Sequence, residues 1–311
     1  MNYRPEQAAA IKAMRNAAPY IRMYKGKVFI VKVGGAIFQS IQSVRAIMEQ
    51  IAILRQVGMR VVMVHGGGPQ MDDMQRSMGI EPVMVDGRRV TDEKTRDISV
   101  MVLNGLLNTQ LVSVAREMGI DAVGMSGASG GCVIAKRRGP VKTHSGKTVD
   151  YGEVGDVATV KADVLLTLLD ADQMPIISPL CCDADGHVLN INADTVAAEI
   201  GGALKAEKLL LCTGAAGIFS DLADPSTLIS YTDLAGLKRL ESSGSFADGM
   251  MPKASAIEKA LHGGVRRVHV LSFKSPDALL AEVFTNEGLG TLIVADIKAL
   301  TAAETSAPSG A

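Results

Sequence analysis

The chain has 311 residues, 47% hydrophobic and 21% charged, with a formal net charge of −1. That length buries a sizeable core in one large domain or two lobes, and a near-neutral balance without a basic run argues against nucleic acid or an anionic membrane as the main partner. Residues 1–20 mix charges with alanines, unlike a secretory leader, and no run of 18 uncharged apolar residues offers a membrane span.

The four cysteines, Cys132, Cys181, Cys182 and Cys212, lie in apolar contexts without metal-ligand spacing, and read as reduced thiols. The expectation is a cytoplasmic protein with no metal of its own. The last dozen residues are small and polar and read as disordered.

In chain order, Ile11, Met14, Ala18 and Ile21 make a stripe on an N-terminal helix that Pro19 should kink or end. VFIVKVG (28–34) is a β-branched, buried strand closed by glycines, and residues 40–57 follow as a helix with Ile41, Val44, Met48, Ile51 and Leu54 on one face. A second strand (59–68) runs into glycines, with Pro69 placed to open a helix. Residues 92–118 read as one long helix behind Thr91 as N-cap. Residues 131–160 suggest hairpins that cover a substrate. Strands follow at 173–181, 206–214 and 266–272, and helices at about 192–204, 252–263 and 276–284. This alternation predicts α/β architecture with a mainly parallel sheet covered by helices.

Three glycine-rich turns adjoin strands: Gly34-Gly35, Gly66-Gly67-Gly68 and the segment Gly124–Gly131. Glycine lets backbone N–H groups approach an anion, and such turns lie where α/β sheets bind ligands. None fits a P-loop or a dinucleotide fingerprint. Lys32 lies inside an apolar strand, where an unpartnered ammonium is costly; phosphate at the strand end would give it a partner. Asn190, Asn192 and Asp194 alternate just as a helix begins, which turns them to one side of an extended segment, although Asn192 or Asp194 could equally cap that helix. Gly249 leads a loop that delivers Lys253 to another helix start.

The segments KVGGA, VHGGGPQ, VDGRRVTDEKT, NINADTVA, AEKLLL and GMMPKASA, in that order between about Pro19 and Val294, resemble the N-acetylglutamate kinase branch of the amino acid kinase family. The resemblance implies a three-layer αβα sandwich of two lobes: a helical extension at 1–24, an amino-acid-substrate lobe at 25–180, a nucleotide lobe at 181–296 and a tail at 297–311. It implies ATP, with Mg²⁺ arriving on it, and transfer of a phosphoryl group to the side-chain carboxylate of N-acetyl-L-glutamate. Lys32 and Lys253 would neutralise the transferred group, with Asp194 orienting both. Gly34, Gly35, Gly66 and Gly67 would donate N–H groups to the phosphates and the reacting carboxylate. Arg89 and Asn190, with Asn192 beside them, would grip the α-carboxylate, and Thr213, Gly214 and Gly249 would border the nucleotide.

Relatives with such an N-terminal extension interlace it between dimers into a hexamer that arginine inhibits, binding at the stretch here numbered His269 to Gly290. Dimer or hexamer, and arginine as feedback ligand, are thus the implied partners. The sequence departs from the family at Gly214, where a carboxylate is usual after the third strand, at Gly127–Gly130, at residues 245–249, and at Phe273-Lys274, where Gly-Arg is usual. Two alternatives stay open: a kinase acting on carrier-linked aminoadipate, which would want a basic docking surface such as Lys136-Arg137-Arg138, and a catalytically weak ligand sensor, to which Gly214 points.

Overall fold

The computed structural model describes residues 4–143, 146–221, 223–242, 250–286 and 288–299. Along the first half run β1 (Val28–Val33), β2 (Arg60–His65), the ribbon of β3 (Met84–Val85) and β4 (Arg88–Arg89), β5 (Ala122–Ser126), β6 (Val133–Arg137), the ribbon of β7 (Val141–Lys142) and β8 (Thr148–Val149), and β9 (Gly155–Val160). The second half adds β10 (Met174–Ser178), β11 (Leu180–Cys182), β12 (Val188–Asn190), β13 (Lys208–Thr213), β14 (Tyr231–Asp233), β15 (Arg267–Ser272) and β16 (Thr291–Val294). Eight of these form one central sheet in the order β14-β16-β15-β13-β1-β2-β10-β5. Six strands from β15 to β5 are mutually parallel, and β16 joins β15 antiparallel. A smaller sheet, β12-β11-β6-β9, stands beside it.

Both faces of the central sheet are covered, which is why its strands are apolar almost without interruption. Phe29, Val31 and Val33 of β1 enter a core with α2 (Ile41–Gln56), α5 (Asn108–Glu117) and α10 (Ala278–Phe284). Ile30 enters the opposite core, with α6 (Asp163–Asp170), α7 (Ala193–Ala203), α8 (Leu234–Ser242) and α9 (Met250–Gly263). Each such aliphatic side chain contributes about 1.5–3 kcal/mol by leaving water. The result is a three-layer αβα sandwich. Strand alternation puts Lys32 on the face of Ile30, beneath α7 and α9.

Several local expectations need correction. The helix from 92 is α4 (Glu93–Ser99), a π-helical segment (Val100–Leu107) and then α5. Asp92, not Thr91, caps it by accepting from the Thr95 N–H at 2.8 Å; Thr91 instead donates its own N–H to the Tyr151 carbonyl in a bridge across the fold. Pro19 does not end the first helix, since α1 runs from Pro5 to Tyr24 with the proline inside it. Proline deprives only the Arg15 carbonyl of its partner, on an exposed turn where water can replace it. Gly124 sits within β5 rather than in a turn. The elements that carried no clear signal include α6, α8, β5, β14 and β16. Residues 300–311, and the departure at 245–249, lie outside the described residues. Among the described residues, Glu93–Glu117 is the one helix long and apolar enough to cross a membrane, and half of its most apolar window is buried inside the protein.

Candidate active site

The parallel strands β1, β2, β13 and β15 all end on one side of the sheet, and strand order runs outward from β1 in both directions, the arrangement that opens a ligand crevice in α/β folds. Lys32 lies one residue before the end of β1. Asp194 is the second residue of α7, and Lys253 the fourth of α9. Lys32 Nζ lies 2.7 Å from Asp194 Oδ1, and Lys253 Nζ 3.1 Å from Asp194 Oδ2. Each carboxylate oxygen thus holds one lysine, and the three side chains are 9%, 8% and 15% exposed in the order Lys32, Asp194, Lys253.

Burial by itself would raise the Asp194 pKa, but Lys32 and then Lys253 outweigh it and hold the carboxyl at about 2. Burial pushes the Lys253 ammonium below its usual range; Asp194 resists that shift and Lys32 adds to it. With the lysines charged, the trio carries one net positive charge in a poorly hydrated place. It is built to receive an anion, not to exchange a proton.

The glycine turns form the floor beside it. Gly34 follows β1, and a Cβ there would lie 3.9 Å from Lys32 Nζ. Gly35 and Gly67 are pressed together: a Cβ on Gly35 would come within 2.7 Å of Pro69 and 3.0 Å of Gly67 Cα, and one on Gly67 within 2.4 Å of Leu107 and 2.6 Å of Leu103. Gly66 contributes less than expected, because its N–H already donates to the Val33 carbonyl at 2.9 Å. The donors left to the turn are those of Gly67 and Gly68, where α3 (Gly68–Ser77) begins and its dipole favours negative charge.

Beside the trio is a cavity of about 390 Å³, lined in part by Arg88, Arg89, Arg138, Asn190, Asn192 and Lys259. The structure thus brings Arg89, Asn190 and Asn192 to one cavity, but two of them are already engaged. Arg89 is ion-paired with Asp72 and donates to Gln75 and to the Gly68 carbonyl, which ties it to the glycine turn. Asn192 caps α7 through its Oδ1, accepting from the N–H groups of Asp194 at 2.7 Å and Thr195 at 3.4 Å. That cap fixes Asp194 in the first turn, and only the Asn192 amide nitrogen is left for a ligand.

Arg138 was the residue of the Lys136-Arg137-Arg138 run with an unrecognised role. It enters the cavity paired with Asp156, while Arg137 pairs outside with Asp150. Arg137 is the last residue of β6 and Arg138 the first beyond it.

Thr213 ends β13 and closes a tight turn, donating to the Ala215 carbonyl at 2.9 Å and accepting from its N–H at 3.1 Å. Gly214 has open space around it: the one neighbour near an added Cβ is Lys274 Cε, at 4.0 Å. Gly249 lies outside the described residues. Burial pushes the thiols of Cys181 and Cys212 up to about 12 and that of Cys132 to about 11, so these cysteines are inert core residues.

A paired-lysine anion site at the mouth of a parallel sheet defines a class, and the amino acid kinase family model matches residues 27–272; the chain belongs to that family. Within it the chain falls on the acetylglutamate kinase branch. The acetylglutamate kinase of Symbiobacterium thermophilum is 43% identical over 291 residues, covering 93% of this chain and 99% of that one. That of Myxococcus xanthus is 45% identical over 287 residues, covering 91% and 93%. Among solved structures, N-acetylglutamate synthase from Neisseria gonorrhoeae, complexed with coenzyme A and N-acetyl-glutamate, matches with a TM-score of 0.79 and 26% identity over 92% of this chain; this chain spans only 63% of that one.

Proposed function

We propose that the chain transfers the γ-phosphoryl group of ATP to the side-chain carboxylate of N-acetyl-L-glutamate, as a phosphotransferase with a carboxyl acceptor. The observation that carries the reading is the Lys32–Asp194–Lys253 trio beside the Gly34-Gly35 and Gly67-Gly68 turns. Phosphoryl transfer asks for positioning and positive charge more than covalent chemistry. The substrate carboxylate is its own nucleophile and is ionised at neutral pH, so no general base is needed: its oxygen bonds to phosphorus as the bond to the ADP oxygen breaks. Lys32 and Lys253 neutralise the charge that accumulates on the transferred oxygens, and Asp194 keeps the two ammonium groups apart and aimed.

Mg²⁺ would ride on the nucleotide's phosphates, since both Asp194 oxygens are occupied by lysines. Arg88, Arg89, Arg138 and Lys259 outnumber Asp156 in the cavity lining, and with Asn190 they supply the donors that a dicarboxylate requires. In this reading residues 25–180 supply most of the amino-acid side and 181–296 the nucleotide side, with Asn190, Asn192 and Lys259 reaching across to the amino-acid cavity and β1 at the seam. The setting is cytoplasmic, where ATP is made available.

The regulatory part of the proposal is a homo-oligomer with arginine as feedback ligand. Its support is that the end of α1 is fastened to the segment 269–290: Tyr20 donates to Asn286, and Lys208 lies 5.2 Å from the Tyr24 ring while donating to the Glu282 carbonyl at 3.0 Å. His269 and Gly290 in turn bond the Glu282 carboxylate at 2.7 and 2.6 Å.

The activity is tested by incubating the protein with ATP, Mg²⁺ and hydroxylamine, which traps acyl phosphates as hydroxamates, across N-acetylglutamate, glutamate and N-acetylaminoadipate. Hydroxamate from N-acetylglutamate at the highest kcat/KM supports the reading. Preference for another acceptor, or no hydroxamate at all, overturns it.

A further inference from the structure

Beneath the Gly66-Gly67 turn lies a chain of buried polar groups that the reaction itself does not use. Asn108 opens α5 where the π segment ends, and it is 3% exposed. Its Nδ2 donates to the Ile176 carbonyl at 2.9 Å and lies 3.4 Å from the Met125 carbonyl. Two carbonyl oxygens require that the amide nitrogen, not its oxygen, occupy this place. The same nitrogen lies 3.2 Å from His65 Nε2, so Nε2 must accept. The ring proton therefore sits on Nδ1, which donates to the Gly66 carbonyl at 3.1 Å. His65 is fully buried, and burial pushes its pKa down to about 4, so it is a neutral ring of one tautomer.

The surroundings are cut to fit this chain. A Cβ on Gly124 would come within 2.2 Å of Asn108 Oδ1, so a bare strand position in β5 gives Asn108 its room. The wider winding of the π segment sets Leu103, Leu107 and Asn108 on one side, the first two against Gly67 and the third against His65.

The consequence falls on one peptide plane. A trans, planar peptide points its C=O and N–H in opposite directions. With the Gly66 oxygen drawn down to His65, the Gly67 N–H points up and away from the core, and it makes no hydrogen bond among the described residues. We propose that His65, oriented by Asn108, is a positioning residue that locks the Gly66–Gly67 peptide so that the Gly67 N–H meets the reacting anion. The inference rests on the phosphotransferase reading, which places that anion beside this turn. Without the lock, the glycine peptide is free to rotate, and a donor misplaced by about 1 Å costs on the order of 100-fold in rate.

The test compares His65→Leu, His65→Asn and Asn108→Leu in the full chain, with Lys32→Ala as control. Asparagine carries its amide nitrogen at the place of Nδ1 and can still donate to Gly66, whereas leucine fills the volume without a donor. His65→Leu should lower kcat about 10- to 100-fold with the KM for ATP within about twofold, and His65→Asn should recover most of that loss. Equal losses in both, or an unchanged kcat in His65→Leu, overturn the proposal. If His65→Leu is normal while Lys32→Ala is inactive, only the positioning role falls. If Lys32→Ala is also normal, the phosphotransferase reading falls with it. Should the leucine variants not fold, ¹⁵N spectra of the histidine rings of the unaltered protein decide: a neutral ring protonated on Nδ1 between pH 5 and 8 supports the lock, and an Nε2-protonated or charged His65 overturns it.

Discussion

At the scale of residues, the site rests on three charges whose partners the sequence only half disclosed. Lys32 was legible because a lysine in an otherwise apolar strand needs an anion, and Asp194 because it alternates with two asparagines at a helix start. That both lysines share one carboxylate followed only from the family resemblance and not from pattern or spacing, since α7 and α9 meet only after folding. Lys32→Ala and Lys253→Ala should each lower kcat by about 10²–10³, the scale for removing a preorganised charge donor, as steady-state assays would show; near-normal turnover in either removes it from the chemistry. Arg89→Ala should chiefly raise the KM for the amino acid.

The pH profile follows from the same trio. Asp194, held at about 2, stays ionised throughout the neutral range. Lys253, lowered by burial, loses its proton before an ordinary lysine does as pH rises. The alkaline limb of kcat/KM should therefore fall below the normal lysine range, and Lys253→Arg, slower but permanently charged, should move that limb upward. A limb that stays put in the arginine variant assigns it elsewhere.

At the scale of elements, most strands and helices were readable from periodicity and from glycine or proline at their ends. The misses have physical causes. β14 is a three-residue edge strand with little apolar pattern of its own, β16 inside it is only four residues long, and a π segment preserves the apolar character of an α-helix while shifting which residues face inward. Asn192 looked like a ligand and is first a cap, worth about 1 kcal/mol to α7; the two roles share one residue type, so sequence could not choose. The turn after β13 carries the chain's main departure. Space at Gly214 admits a side chain, and a carboxylate there would reach Lys274. Gly214→Asp should tighten ATP binding by about 1–3 kcal/mol, the cost of a lost polar contact, leaving the amino-acid KM unchanged, as calorimetry can show. Weaker ATP binding in the variant would mean that Lys274 itself serves the nucleotide and is neutralised by the new aspartate.

At the scale of the whole molecule, alternating strands and helices foretold a parallel sheet with two covered faces, but not the order of its strands, which depends on pairings across more than a hundred residues. α1 shows how little of a helix the body needs: its last turns pack through Tyr20 and Tyr24, while Met14 is 75% exposed and Met23 59%. Deleting residues 1–24 should reduce a larger assembly to dimers in light scattering while basal turnover persists. A full-length chain that is already dimeric and indifferent to arginine contradicts the regulatory proposal. The central claim is that the substrate's own carboxylate attacks the γ-phosphorus beside Lys32 and Lys253, and an isotope decides it. With N-acetylglutamate labelled by ¹⁸O in its side-chain carboxyl, hydroxylamine attacks the carbonyl carbon of the acyl phosphate and expels phosphate with its bridging oxygen. The account predicts that mass spectrometry finds one ¹⁸O in the released phosphate; phosphate carrying none would contradict it.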